Sequence, residues 1–482
     1  MSTTPLPLYR RIAADLALRL DSGEWPPGSR LPPVRQLAQR YQVNNLTALQ
    51  AYRWLEQNQR VVARARSGFF AAANAMTLEP RVGEPLSAPI TWVQVDDRVS
   101  NLLNLSSAAL KTQLHMAEAD DGLYPAAELA RRLQHKLQRD PALLGAHLPT
   151  AELKLLRTEL VRLGASWQME LEPDQLLMTN GSTEAIQLAL RCLTVAGDVV
   201  AVETPVYFGL LQTLESLGLK ALEIPCTAEH GISLEALEFA LRHGPAIRCL
   251  VVVPHFQNPT GALMPDENKK RLLDLARRHH FSLIEDDVFG DLHYGTDRPV
   301  PIKAWDRDGI VIYCSSFTKS FAPAFRLGWT SGGMYHQRME RLKVSNSYVT
   351  SSLIQATMAD CLASGLYARQ VLRLRQQLAQ QSRQMSEAIL AAFPRGTTVS
   401  RPQGGMLLWL QCPQGVDSIA LLQQALSLSI SFAPGPVFSA QPHFSNCLRL
   451  SVGHPWTNDL QQVIRQLGAL ACAQLTQSQG QQ

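Results

Sequence analysis

The sequence predicts an α/β protein in two unequal parts: a small basic unit of helices closed by a strand hairpin, then a large body on a mostly parallel sheet. Three observations carry this. The chain has 482 residues, which at about 100–200 per domain is too long for one small module. Its net charge of +4 is unevenly spread, because residues 1–71 hold ten Arg, no Lys and four acids, a net +6 that leaves −2 for the remainder. From about residue 98, short β-branched apolar runs alternate with helical stretches, the pattern of a sheet covered on both faces.

At 46% hydrophobic and 18% charged residues, with mean hydropathy −0.07, the composition is that of a globular chain. No apolar run approaches the roughly 18–20 residues of a membrane span. Arg and Asp interrupt the apolar positions of the N-terminus, so no secretory signal is indicated and a cytoplasmic location is expected. Eight cysteines, at 192, 226, 249, 314, 361, 412, 447 and 472, lie far apart without a Cys-x-x-Cys pair. That usage suits reduced buried thiols and predicts neither a disulfide framework nor a metal site.

In the basic unit, Leu8, Ile12, Leu16 and Leu20 recur every four residues and predict a first helix ending near Ser22-Gly23. Pro33 suits the first turn of a short second helix, VRQLAQRY. Asn44 suits the cap of a third, NLTALQAYRWLEQN, whose Ala48, Ala51, Tyr52 and Leu55 fall at i, i+3, i+4 and i+7. Two short helices across a tight turn make a helix-turn-helix, and RVVARARSGFFA, alternating about Ser67-Gly68, predicts a hairpin or wing.

GEWPPGSRLPPVRQLAQRYQVNNLTALQAYRWLE followed by RARSGFF resembles the winged helix-turn-helix of the GntR family of bacterial regulators. The resemblance implies that the helix beginning at Asn44-Asn45 enters the major groove of an operator, with the wing from Arg64 to Phe69, including Ser67 and Gly68, beside it. Arg35 is then expected at a phosphate or a base edge, and Arg53, Arg64 and Arg66 at phosphates. Where the family usually carries Ser-Arg and a further Arg four residues on, this chain has Asn44, Asn45 and Leu49. Asn45 suits a bidentate contact to adenine, and Leu46, Thr47 or Leu49 suits thymine methyls, which favours an A·T-rich half-site. The alternative is that Leu46 and Leu49 pack against a neighbouring helix. The first domain is thus expected at 1–71, a Pro- and Gly-containing linker at 72–97 with an edge strand over Thr91 to Val95, and the body at 98–482.

Five strands are expected in the body: DVVAVE, KALEIPC, RCLVVVP, FSLIEDD and GIVIYCSSF. Ligands of such sheets bind at the carboxyl ends of the strands, where polar motifs fall. Thr179 to Ala185, with Gly181, Ser182 and Thr183, precedes a helix and offers backbone N–H groups to an anion, or simply caps that helix. Tyr207, in PVYFG, follows the first strand, and His255 to Gly261, with a turn at Asn258-Pro-Thr-Gly, follows the third. Glu285, Asp286 and Asp287 close the fourth; such carboxylates repel unless one meets a cation or a protonated ring nitrogen. Lys319 lies among Ser315, Ser316, Thr318 and Ser320 with Arg326 seven positions on, which suits an amine held beside a phosphate. Arg449-Leu450-Ser451 comes late in the chain.

In this order GSTEA, PVYFG, QNPTG, EDD, SSFTK, FRLGW and RLS resemble the fold-type I pyridoxal-phosphate aminotransferases, over residues 113–470. The resemblance implies pyridoxal 5'-phosphate bound to the catalytic Lys319 as an internal aldimine. It implies that Asp286 keeps the ring nitrogen protonated, Asn258 donates to the ring oxygen and Tyr207 stacks on the ring. Ser182, Thr183, Ser316 and Arg326 would hold the phosphate, and Arg449 would clamp a substrate carboxylate. Two positions depart from the pattern: Phe289 replaces a usual Tyr, and Ala146 or His147 stands where many relatives have a Tyr reaching the neighbouring subunit's phosphate.

Together the two halves resemble the MocR subfamily of regulators: a winged helix-turn-helix, then a fold-type I aminotransferase-like body with a smaller C-terminal α/β subdomain. The family implies a DNA-binding transcription regulator, usually a homodimer, in which an amino compound or the cofactor itself shifts the balance between two arrangements. A working transaminase carrying a DNA-binding end, and a cofactor-free dimerisation scaffold, are the alternatives.

Overall fold

Apolar spacing builds the N-terminal unit. In the computed structural model, which describes residues 8–21, 25, 28–57, 60–64, 68–71, 91–92, 110–145 and 150–480, α1 (Leu8–Asp21), α2 (Val34–Arg40) and α3 (Asn45–Gln57) bury Ile12, Leu16, Leu37, Ala48, Ala51, Tyr52 and Leu55 in one core. Pro33, with extended backbone, stands just before α2. Asn44 Oδ1 accepts from Thr47 N–H at 2.8 Å and so caps α3. The hairpin β1 (Val61–Arg64) and β2 (Gly68–Ala71) closes the unit, with the Phe69 ring stacked on Tyr52 at 4.5 Å. Tyr52 Oη, buried with its ring, donates to Pro32 O at 2.6 Å.

Two expectations are corrected here. Leu8 is 52% exposed, so the buried stripe of α1 starts at Ile12; the first turn lies beyond the core. Leu46 is 66% exposed and packs on no neighbouring helix, because a two-residue offset from Ala48 turns it about 200° away from the buried stripe. Arg66, Ser67, Ala146 and His147 lie outside the described residues, as does most of 72–97.

The chain divides into two units, Met1–Glu79 and Pro80–Gln482. The main sheet of the second contains β3 (Thr91–Trp92), β4 (Leu176–Thr179), β5 (Val199–Thr204), β6 (Lys220–Thr227), β7 (Ile247–Val252), β8 (Ser282–Asp286), β9 (Val311–Ser316) and β10 (Gly328–Ser331). Their order is β3-β6-β5-β7-β8-β9-β10-β4. The five strands expected from sequence are the parallel centre; β10 runs against both its neighbours, and β3 lies antiparallel on β6.

Period-two alternation fills both faces. Val200, Val202, Cys249, Val251, Ile284 and Ile312 meet the helices Gly181–Leu193 and Phe208–Ser216, while Val199, Ala201, Leu250, Val252, Leu283 and Val311 meet Leu234–His243 and Asp266–His279. The C-terminal subdomain is an antiparallel sheet of β11 (Thr398–Val399), β12 (Leu407–Gln411), β13 (Ala433–Pro434) and β14 (Cys447–Ser451), packed on Leu366–Ala392 and Asn458–Gly480. Residues 112–113, between β3 and β4 in sequence, pair with 430–431 and so belong to this subdomain. Among the described residues no helix is long and apolar enough to cross a membrane.

Leu16→Ala opens a void in the fully buried centre of the small unit and should destabilise it by about 2–5 kcal/mol. Hydrogen exchange in the full chain should rise across residues 8–71 and stay unchanged in the main sheet.

Candidate cofactor site

The carboxyl ends of the parallel strands bring the motifs together. Asp286 ends β8, Ser316 ends β9 and leads to Lys319, and Thr204 ends β5 just before Tyr207. Arg449, from β14, is 1% exposed.

The three acids at the end of β8 are divided by their partners. Asp287 receives Arg298 Nη2 at 2.6 Å, Tyr313 Oη at 2.7 Å and His255 Nδ1 at 2.7 Å. Burial pushes its carboxyl up, but Arg298 and His255 more than offset that and hold it well below the usual range. Arg298 is itself fixed by Asp291 at 2.8 Å and by the Trp167 face at 3.8 Å. Glu285 accepts the N–H groups of Ile302 and Lys303; burial, then the Asp287 charge, push it up to about 8. Asp286 has only the Val288 amide and the Lys319 charge to draw it down. Burial and the Asp287 charge push it up to about 7, and its buried Oδ1 has no partner.

An anion cradle lies at the start of the helix Gly181–Leu193, which presents Ser182 and Thr183. Gly181 has φ +81°, and a Cβ there would stand 3.0 Å from Arg326 Nη2; a Cβ on Gly328 would meet the Gly181 carbonyl carbon at 2.5 Å. Two glycines therefore let β10 and this helix close around Arg326, itself at φ 48°. Ser316 Oγ accepts Thr318 N–H at 3.0 Å, and Thr318 Oγ1 is buried without a partner. Tyr207 folds over Gly209, where a Cβ would meet its ring at 2.5 Å.

Lys319 Nζ donates to Glu118 Oε1 at 3.4 Å. Burial, helped by Arg449 and Arg326, lowers the lysine against the pull of Glu118, which favours the neutral amine that a nucleophile requires. Arg449 Nη1 donates to Asn258 Oδ1 at 2.9 Å and Nη2 donates to His115 O, while its buried Nε has no partner. Burial lowers this guanidinium to about 10. Phe289 is packed in the C-terminal core and brings no hydroxyl to the site.

The family model for aminotransferase class I and II matches residues 121–467, and that for bacterial regulatory proteins of the gntR family matches residues 8–71. The HTH-type transcriptional regulator YjiR of Escherichia coli (strain K12) is 35% identical over 95% of this chain and 98% of its own length. The probable rhizopine catabolism regulatory protein MocR of Rhizobium meliloti is 26% identical over 89% of this chain and 86% of its own. This chain belongs to the MocR subfamily of GntR-type transcription regulators. Among solved structures, LysN, the alpha-aminoadipate aminotransferase of Thermus thermophilus, superposes with TM-score 0.73 at 26% identity, covering 80% of this chain and 96% of LysN. The kynurenine aminotransferase of Pyrococcus horikoshii gives TM-score 0.72 at 27% identity over 79% and 95%.

Pyridoxal phosphate is the cofactor of this fold family. The residues present in this MocR-type regulator fit it: the partnerless Asp286 Oδ1 suits a ring N–H, and the Gly181 cradle with partnerless Thr318 Oγ1 suits a phosphate. Thr318 is a candidate phosphate ligand that sequence reasoning missed; the density of hydroxyls around Lys319 was the available signal. Glu118, His115 and Arg298 had no local signal, since each reaches the site from a distant segment. In the N-terminal unit Arg35, Asn44, Asn45, Arg53 and Gly68 are exposed, and Thr47 is half-buried. Asn45, Leu49 and Arg53 follow one another at four-residue steps along α3. Of Arg64 only the backbone is described.

Two outcomes follow from the division of charge. Arg298→Ala leaves the buried Asp287 without its guanidinium, held only by Tyr313 and His255, and should cost about 3–5 kcal/mol in denaturant unfolding at pH 7. Because the Asp287 pKa is depressed, that contribution is present above the ordinary Asp value of about 3.9 and lost as pH falls below it, so the deficit should shrink in acid. Asp286 is the opposite case: raised to about 7, it costs stability increasingly as pH rises from its unfolded value towards 7. Asp286→Asn should therefore raise the melting temperature of the cofactor-free protein at pH 8 but not at pH 4, while weakening pyridoxal-phosphate binding.

Proposed function

We propose that this regulator binds pyridoxal 5'-phosphate covalently through Lys319 and senses an amino compound, or the cofactor itself, at that site. The observation that carries the reading is the convergence of a half-buried lysine whose charge the surroundings disfavour, a partnerless Asp286 oxygen and a glycine-lined anion cradle in one place. When bound, the cofactor supplies an electron-poor ring and an aldehyde that amines can attack. The chain's own residues do the rest. Asp286 holds a proton on the ring nitrogen, and Asn258, its Oδ1 occupied by Arg449, keeps Nδ2 for the ring oxygen. Tyr207 covers the ring face, and Ser182, Thr183, Ser316, Thr318 and Arg326 hold the phosphate. Arg449 orients a ligand carboxylate through its free Nε.

The N-terminal unit, in this reading, binds double-stranded operator DNA with α3 in the major groove. Arg53, Arg64 and Arg66 take phosphates and Arg35 a phosphate or a base edge; Asn45 and Leu46, Thr47 or Leu49 lie at base edges, with Ser67 and Gly68 of the wing beside them. Asn44 acts through its cap on α3. The domains are 1–71, a linker at 72–97, and an effector and dimerisation body at 98–482. Two-fold pairing of chains presents two such helices to a palindromic site in the cytoplasm. The retention of Lys319, Asp286 and Arg449 also favours a second reading, a working transaminase, which steady-state turnover at about 1–1000 per second with a keto acid would support.

Lys319→Ala should abolish the visible absorption of the cofactor-loaded protein, and with it any response of DNA affinity to amines. An effector should change DNA affinity by about 5–150-fold. Spectral change with operator affinity fixed would sink the sensor reading. Arg53→Ala should weaken binding to all sequences alike and lower the salt slope by about one, whereas Leu46→Ala should act mainly on A·T-rich sites.

A further inference from the structure

The main chain at Glu118 is fixed beside Lys319 independently of the ion pair its side chain makes. Leu114 N–H donates to Ser431 O at 2.9 Å, Ser451 N–H to Leu114 O at 2.9 Å, and Asp120 N–H to Gly453 O at 2.9 Å. Ser451 Oγ donates to Glu118 O at 3.2 Å, and Tyr124 Oη accepts Ala119 N–H at 3.3 Å while donating to Lys319 O at 3.4 Å. The Glu118 carboxylate makes one ion pair among the described residues, to Lys319 Nζ at 3.4 Å. The other charged groups that act on this amine are Asp286, Arg326 and Arg449, and the nearby Tyr124 and Tyr207 hydroxyls are kept neutral by burial.

The balance of these charges differs between the empty and the occupied site. In the empty site Arg449 and Arg326 act against a charge on the lysine, and Glu118 acts for it. A phosphate answers Arg326 and a ligand carboxylate answers Arg449, so both opponents are neutralised and the pull of Glu118 remains. A ligand arriving as an ammonium gives up one proton as its nitrogen bonds the aldehyde carbon of the cofactor. The bond from that carbon to Lys319 Nζ breaks, and Nζ takes the proton, so charge is conserved and the displaced lysine is an ammonium within reach of Glu118. Removing the α-proton of the ligand requires the opposite state, an amine with a free lone pair. We propose that Glu118 holds the displaced Lys319 as an ammonium, so that the site registers an amino compound and is kept from removing its α-proton. The inference rests on the effector-site reading above.

The test compares the full-length protein with its Glu118→Gln variant, which keeps the size of the side chain and the clamped main chain. The cofactor-free proteins are mixed with pyridoxal 5'-phosphate, and the growth of the visible band is timed from pH 6 to pH 10. Only the neutral amine captures the aldehyde, so Glu118→Gln should be about threefold or more faster at pH 6–7, and the two rates should converge towards pH 10. The loaded proteins are then saturated with L-alanine or L-glutamate in heavy water at pH 7 and followed by proton NMR. Loss of the α-proton signal should be about tenfold or more faster in Glu118→Gln, while the visible shift on ligand binding persists in both proteins. A rate ratio that is the same at every pH, or equal loss of the α-proton in the two proteins, would overturn the role of Glu118 and leave the effector site standing. Absence of any spectral change with either amino acid would overturn both.

Discussion

Three carboxylates end one parallel strand, and the site depends on their not sharing one fate. Arg298 and His255 take Asp287 and fix it as an anion, while burial and the Asp287 charge keep Glu285 on the neutral side against the pull of two backbone amides. Asp286, between them, is left with an unspent oxygen in a place where its own ionisation is disfavoured. A carboxyl in that condition gains most from a partner that arrives with a proton to share. The Arg298 pairing thus does more than hold a loop, because without it the Asp287 charge would have to be relieved by the neighbouring acids.

The same economy of contact shapes the anion cradle. Helix and antiparallel strand approach through Gly181 and Gly328 so closely that a methyl group on either would meet backbone or the Arg326 guanidinium. Glu184, whose carboxylate caps Asn180 N–H at 2.5 Å, is neutralised by Lys343 at 3.0 Å, so it does not cancel the positive end of the helix for an incoming phosphate. The C-terminal subdomain then supplies what the main sheet lacks, a buried Arg449 and, through the clamped segment at 114–120, a carboxylate opposite the lysine.

Charge is partitioned between the units in keeping with their partners. The net +6 of residues 1–71 sits largely on exposed arginines such as Arg35 and Arg53, suited to a polyanion met at the surface. In the body, which is slightly acidic, the functional cations are few, and one of them, Arg449, is buried, where low dielectric makes it count for more.

Local pattern alone determined much of this protein. Short β-branched apolar runs located the five parallel strands, helical spacing located Ala48, Ala51, Tyr52 and Leu55, and motif order singled out Lys319, Asp286 and Arg449. These features are legible because they depend on a residue's near neighbours. Strand direction is not of that kind, so the reversal of β10 was invisible. Nor was the exposure of Leu8 legible, which depends on where the core ends, or the choice among Glu285, Asp286 and Asp287, which Arg298 makes from eleven residues beyond Asp287. Glu118 reaches Lys319 across 201 residues of chain. Only the tertiary structure decides such pairings, because charges act through space and their partners are set by packing rather than by sequence order.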